Sequence, residues 1–496
     1  MAFSITRRSA IVLGGSMMAG VRLPSLLASE VSLATGAVQF RPEIEPLVRL
    51  LEETSSEAII DAVASEIRSG RSYRELLAAL FLAAIRNVQP RPAVGFKFHS
   101  VLVVNSAHLA SLASDDTDRW LPLFWAIDYF KRAQKQDVQE GNWTMSAVDE
   151  SRVPPATEAM RDLRTAMDNW DVEAADVAAA AAARSLPAHQ LFDLFAEYGS
   201  RDFRSIGHKA IYVAGAFRVL EVIGWEYAEP VMRSLSYALL NHTGEPNPGK
   251  SDLAVDRQGR ENQDRAKALP SDWLNGRIDS SSAKALVQTS RTASPSEMSN
   301  EAANLIQSGV SFTSLYDGLF ASAAELVMRQ PAIVPLHAMT TTNAVHYLFQ
   351  HVHSDELRRW LLLQNAAFMG HFRESAVSRG NLKDATIDGI AADSDPVEVA
   401  NLFDRGREKS KGRASQVLGY LQEGGDPNAL MRHARQLVFH KGNDSHDYKY
   451  SSALLEDYHA RSPEWRNRIM AAGSHLLPNV DAKDTGLAER VRDAFA

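Results

Sequence analysis

SSEAIIDAVASEIRSG, residues 55–70, decides the fold class. A serine stands where a helix takes its cap. Ile59, Ile60, Val63, Ala64 and Ile67 recur at helical spacing, and Gly70 offers a stop. After one short turn SYRELLAALFLAAIRNV (72–88) repeats the pattern. DTDRWLPLFWAIDYFKRAQKQ (116–136), DVEAADVAAAAAARS (171–185) and DELRRWLLLQNAAFMGHFRESAV (355–377) do so again. No series of alternating strands joined by hairpin turns interrupts them. The expected fold is all-α: a large multi-helix assembly whose ligand site lies between helices.

The chain has 496 residues, more than one compact core usually serves. With 45% hydrophobic and 23% charged residues and a formal net charge of -8, it has the composition of a soluble globular protein. It lacks the clustered Lys and Arg of a nucleic-acid binder. No apolar stretch reaches the roughly 18–20 residues of a membrane span. There is no cysteine, which removes disulfides, thiolate ligands and cysteine nucleophiles. Any metal must be held by His, Asp, Glu or a modified side chain, and 15 histidines are present.

Residues 1–37 read as an export signal and tail. Thr6-Arg7-Arg8 precedes a short apolar run from Ala10 to Val21 and then small residues, with a cleavage site after Ala28 or Ala37. The paired arginines indicate the twin-arginine machinery, which carries folded proteins, and hence a periplasmic location. Residues 38–242 form a first helical half and 301–496 a second. Between them 243–300, rich in Gly, Pro, Asp, Ser and Arg, reads as a polar excursion: a linker, or a loop over a pocket. A second polar stretch spans about 379–395.

Four segments share one local arrangement. FHSVLVVNSAHLASL from Phe98, GHKAIYVAGAFRVLEV from Gly207, LHAMTTTNAVHYLF from Leu336 and SHDYKYSSALLEDY from Ser445 each place a histidine near the start of a helix. These are His99, His208, His337 and His446. Seven residues later each has a small residue: Ser106, Gly215, Ala344 and Ala453. Positions i, i+3 and i+7 share a helix face. Small residues there allow close helix approach, so four distant helices can each deliver one imidazole to a common centre. Taken singly, each histidine is more simply a hydrogen-bonded core residue; the shared setting argues for a metal site. Lys449, three residues after His446, is either an exposed partner of Asp447 or Glu456 or a buried amine. Buried, it would be neutral or carboxylated by carbon dioxide into an oxygen ligand.

The arrangement FHSVL, GHKA, PLHAMT and HDYK resembles the questin oxidase-like family, all-helical oxygenases of aromatic polyketide metabolism that include non-haem iron enzymes. The resemblance runs from about residue 45 to 475. It is carried best by LHAMTTTNAVHYL (336–348), by YDGLFASAAELVMRQPAIVP (316–335) before it, and by His446-x-x-Lys449. It implies Fe(II) held by His99, His208, His337 and His446, with Lys449 as a further ligand if carboxylated. It also implies dioxygen and an aromatic, phenolic or quinone-like molecule as substrates. The export signal and the excursion at 243–300 stand outside that pattern.

Tyr316 and Asp317, upstream of His337, are candidates to orient an imidazole or donate to a substrate, or else simple packing groups. His108 and His346 each lie nine residues after a proposed ligand, two and a half turns, and point away from it. His351 and His353 face solvent at a helix junction; His371, His433 and His440 are reserve ligands. No HExxH, GxxxxGK[ST] or GxSxG motif occurs. Two other functions fit the same residues. One is a zinc-dependent hydrolase that activates water. The other is an exported, non-catalytic helical binding protein, for which no fixed repeat of 30–45 residues is visible.

Overall fold

A helix that is apolar around its whole circumference must lie at the centre of a molecule. In the computed structural model, which describes residues 36–90, 95–240 and 245–496, the helix Ile333–His351 is such an element. Every residue from Val334 to Phe349 except Asn343 is buried. The helices His99–Leu112, His208–Ile223 and Ser445–Glu456 are buried nearly as completely. These four pack as a closed ring in the order His99, His208, His337, His446, each touching the next. By contrast Glu45–Glu53 buries only Leu47, Val48 and Leu51, and Leu487–Phe495 only Leu487, Ala488 and Val491. Such one-sided helices form the outer layer.

The fold is all-α. The described residues contain 22 α-helices and no strand beyond two isolated bridges, Ala37 with Ser146 and Arg277 with Val310. No described helix is long and apolar enough to cross a membrane. Ala37–Ala496 forms one compact unit. Within it the ring draws two helices from 38–242 and two from 301–496. The four run parallel, so each return is made by the helices in between, which explains separations of 109 and 129 residues between successive histidines.

Specific contacts fix the ring. The Phe98 ring meets Tyr212 edge to face at 5.3 Å, and the Tyr212 hydroxyl pairs with Ser234 Oγ at 2.7 Å. Trp125 stacks on Tyr448 at 4.1 Å, anchoring the His446 helix. Aromatic pairs of this kind contribute about 0.5–1.5 kcal/mol beyond their burial. Gly207 lies so close to the His337 helix that a Cβ there would fall 2.0 Å from Thr341 Oγ1.

Two sequence expectations end differently. Ser55 caps a turn rather than the helix itself, which runs Ile59–Arg68; Gly70, at φ +96°, ends it as expected. The stretch read as a polar excursion or linker carries, in its described part, the helices Ala254–Lys267 and Ser280–Ser290 and the start of Pro295–Gln307. Several of its polar residues are internal: Asp256 receives Arg204 at 2.6 Å, and Asn262 donates to Gln364 at 2.7 Å. Composition cannot reveal partners so far away in the chain. The export signal, but for its last two residues, lies outside the described residues. The stretch 379–395 holds no helix, as its composition suggested.

Candidate metal centre

Each ring helix begins at or just before its histidine, so the four imidazoles meet in one layer at the N-terminal end of the bundle. The rings follow the helix order around the layer. Centroids are 5.1 Å apart for His99–His208, 4.4 Å for His208–His337, 5.2 Å for His337–His446 and 4.7 Å for His446–His99. One ring nitrogen from each lies within 4.8 Å of all the others. Three of the side chains are almost fully buried; His446, with 19% of its side chain exposed, is the corner at which the layer meets solvent.

The far nitrogen of every ring is anchored. His99 Nδ1 faces the Gly95 carbonyl at 2.8 Å, His208 Nδ1 that of Ser205 at 2.7 Å, and His337 Nδ1 that of Ile333 at 2.7 Å. His446 Nδ1 faces Asp444 Oδ1 at 2.6 Å. These oxygens only accept, so each Nδ1 carries the hydrogen and each neutral ring keeps its lone pair on Nε2. His208 Nε2 lies 3.1 Å from His99 Nε2 and 3.0 Å from His337 Nε2. Neither contact is a hydrogen bond, because both sides are acceptors. His446 Nε2 is buried with no partner. Four convergent lone pairs repel one another unless a proton or a cation lies among them.

A proton is disfavoured. Burial, reinforced by Lys449 and the facing imidazoles, holds His99, His208 and His337 well below the ordinary 6.5. His446 is lowered too, chiefly by burial. The positive ends of four helix dipoles surround the layer and add to the cost of any cation there. The donor set is nonetheless that of a metal site: neutral nitrogen donors, each oriented through its second nitrogen by an oxygen acceptor, as is usual for metal-bound histidine. Three buried histidines and the half-buried His446 are able to hold a metal ion here.

Lys449 sits on the His446 helix, one turn below His446. Its side chain is buried and its Nζ has no hydrogen-bond partner. Of the two settings open from sequence, the buried one is therefore found. Burial pushes its amine down to about 7.

The backbone beside His208 is strained. Ser205, Ile206 and Gly207 have φ of 58°, 45° and 82°. A β-branched residue in that region is rare, and such residues cost about 1–3 kcal/mol each. The turn they make aims the Ser205 carbonyl at His208.

Other sequence candidates lie elsewhere. Tyr316 and Asp317 do not reach His337. Tyr316 packs against His346, centroids 4.4 Å apart, and Asp317 accepts from the Ser462 amide at 3.1 Å. They lie on a separate helix, Phe312–Arg329, which packs on the side of the His337 helix that carries His346. His346 and His108 point away from the layer as expected, toward Asp457 and Tyr73. His371 stacks on Phe203 and His433 on Phe403, while His440 lies near Asp484; none of these reserves joins the layer. His351 and His353 are exposed. The orienting groups went unforeseen. Asp444 carries a signal, a cap two residues before His446; the three carbonyls carry none. The roomier clefts, about 410 Å³ beside Phe217 and Trp225 and about 230 Å³ beside Trp360, do not touch the layer.

In comparisons with known proteins, no family model, curated protein or solved structure matches this chain at a significant level.

Proposed function

We propose that the protein is a non-haem iron oxygenase acting on an aromatic, phenolic or quinone-like molecule. The single observation that carries the metal is the set of four Nε2 lone pairs facing one another with every Nδ1 tied to an oxygen. His99, His208, His337 and His446 would hold the ion through Nε2, and neutral imidazole nitrogen suits iron and zinc alike. The oxygenase chemistry and the substrate class rest on the resemblance to questin oxidase-like proteins.

A ferrous ion at such a site supplies the one-electron chemistry that lets dioxygen react with a closed-shell organic molecule. The chain's own groups do the rest. The carbonyls of Gly95, Ser205 and Ile333 and the Asp444 carboxylate hold the imidazoles in one tautomer and one orientation. The organic substrate would approach from the His446 corner, where the layer comes nearest the surface, while the rings of His208 and His337 are buried on the other side. Four neutral ligands amid four positive helix ends leave the cation with no directly bound negative charge, the Asp444 carboxylate standing one imidazole away, so an anion is welcome. A phenolate substrate provides one. Lys449 provides another if its amine nitrogen bonds to the carbon of carbon dioxide and gives up a proton. The same proposal places the enzyme outside the cytoplasm, on the strength of Arg7-Arg8 and the apolar run that follows.

Elemental analysis of the full chain, purified without a histidine tag or added metal, tests the centre. Iron near stoichiometry, absent from His337→Ala, is the expected result; oxygen uptake with a panel of phenols and quinones then follows. Zinc in that ratio, without oxygen uptake, would replace this reading with the zinc hydrolase. No metal in either protein, even after anaerobic loading with ferrous iron, would leave a helical binding protein.

A further inference from the structure

The ring helices continue below the histidine layer with the same register. Three residues on, Leu102, Ile211, Thr340 and Lys449 line one narrow cavity; seven residues on, Ser106, Gly215, Ala344 and Ala453 line it as well. Two turns of helix are about 10 Å, so the cavity runs down the axis of the bundle from Lys449 away from the histidines. It holds about 30 Å³. That is room for roughly two water-sized molecules, against the roughly 150 Å³ of a cavity that accepts benzene. No aromatic substrate fits. The small residues at the seventh position leave the bore open, because any larger side chain there would fill it.

Two polar groups face this cavity without partners. Lys449, 3% exposed, lines its inner end and its Nζ makes no hydrogen bond; Asn105 Oδ1 is likewise buried and unpaired. At the outer end the lining turns charged. Arg218 Nη1 pairs with Glu456 Oε2 at 3.0 Å, and its guanidinium lies over the Tyr347 ring at 4.0 Å. Asn343 donates to the same Glu456 oxygen at 2.9 Å. Glu456 is exposed, so this cluster is the mouth.

We propose that this bore is the entry route for a neutral gas of two or three atoms, dioxygen or carbon dioxide, which reaches the histidine layer past the Lys449 amine. The Arg218–Glu456 pair is the latch over its mouth. What the gas does on arrival rests on the oxygenase reading; the route itself does not. The organic substrate then meets the layer from the His446 corner, and the two reactants enter by separate doors.

Cyanate tests the route without any metal. Isocyanic acid is linear and three heavy atoms long, like carbon dioxide. The amine nitrogen adds to its carbon and a proton moves to its nitrogen, leaving a stable urea with no leaving group. The full chain, kept in chelator, is treated with cyanate or with the bulky trinitrobenzenesulfonate, and labelled lysines are mapped by mass spectrometry. Cyanate should label Lys449, and the bulky reagent should spare it, while Lys284, with half of its side chain exposed, reacts with both. Ala344→Leu should slow Lys449 labelling at least about tenfold relative to Lys284, since a close-packed bore has no slack for three more carbons. Gly215→Ala, whose Cβ would rest 3.6 Å from Asn105 Cβ, is the milder block should the first variant fail to fold. Glu456→Gln should speed the labelling. Unchanged rates in both blocked variants, or labelling of Lys449 by the bulky reagent, would overturn the route. A sample that binds no metal but labels as expected would sink the oxygenase reading and leave the route standing. Dioxygen and carbon dioxide are separated by a second arm. Blocked variants loaded with iron should bind nitric oxide, a dioxygen-sized probe, more slowly by electron paramagnetic resonance; an unchanged rate there with slowed cyanate assigns the bore to carbon dioxide.

Discussion

His337 and His346 lie nine residues apart on one helix, both buried, and their surroundings differ in kind. His346 is complete. Its Nδ1 lies 3.2 Å from Asp457 Oδ1, and its Nε2 accepts from Arg461 Nη2 at 3.2 Å. One neutral imidazole thus has one donor and one acceptor satisfied by a carboxylate and a guanidinium. His337 is complete on one side only: Ile333 takes its Nδ1 hydrogen, and its Nε2 faces another lone pair. The difference teaches that burial does not mark a ligand. A structural histidine spends both nitrogens inside the protein, whereas a binding histidine keeps one that the protein cannot satisfy.

The largest expected contrast is in metal content. His337→Ala should weaken metal binding by more than about 100-fold, beyond the 10- to 100-fold typical of lost orienting groups. His346→Ala should leave metal content unchanged by elemental analysis and instead lower the melting temperature, at a cost of about 2–4 kcal/mol, because Asp457 and Arg461 lose a buried partner. Loss of metal from the second variant would break the comparison.

Asp444→Ala removes the only side chain that orients a ligand, and should weaken binding by about 10- to 100-fold while leaving three anchored imidazoles in place. Competition with a chelator measures it.

Lys449→Met should separate stability from function. Replacing an unpaired buried amine with an apolar chain of similar length should stabilise the metal-free protein by about 1–3 kcal/mol in urea titration. The same variant should lose metal affinity or oxygen uptake if Lys449 supplies a ligand. A destabilised variant would mean that the amine has a partner.

The pH dependence has a defined sign. Lys449 titrates at about 7 in the folded chain and at 10.5 when free. Across that window the unfolded chain binds the extra proton, so the metal-free protein should gain stability as pH rises from about 7 to 10.5. The layer histidines, held below 6.5, act alike at lower pH: stability should fall as pH drops below 6.5, until the folded state also takes up protons. Lys449→Met should flatten the alkaline limb in melting curves and leave the acid limb. The smallest effects belong to the exposed pair: His351→Ala and His353→Ala should each change stability by less than about 0.5 kcal/mol and leave metal content alone.

The sequence by itself determined the helical class, because apolar residues at helical spacing are a local property of 55–70, 72–88 and their like. It also determined which four histidines share a setting and which small residues follow each of them, because i, i+3 and i+7 lie on one face wherever the helix goes. The tertiary structure decided what that setting is for. Only packing closed the four helices into a parallel ring, faced the Nε2 atoms toward one another, and aimed the carbonyls of Gly95, Ser205 and Ile333 at the other nitrogens. A backbone carbonyl has no letter in the sequence, and neither does the left-handed conformation of Ser205 and Ile206 or the closeness of Gly207 to Thr341. Tyr316, Asp317 and the helices of 254–290 show the same limit from the other side. Their neighbours, His346, Ser462, Arg204 and Gln364, lie from 30 to more than 140 residues away, and no local pattern specifies a partner at that distance.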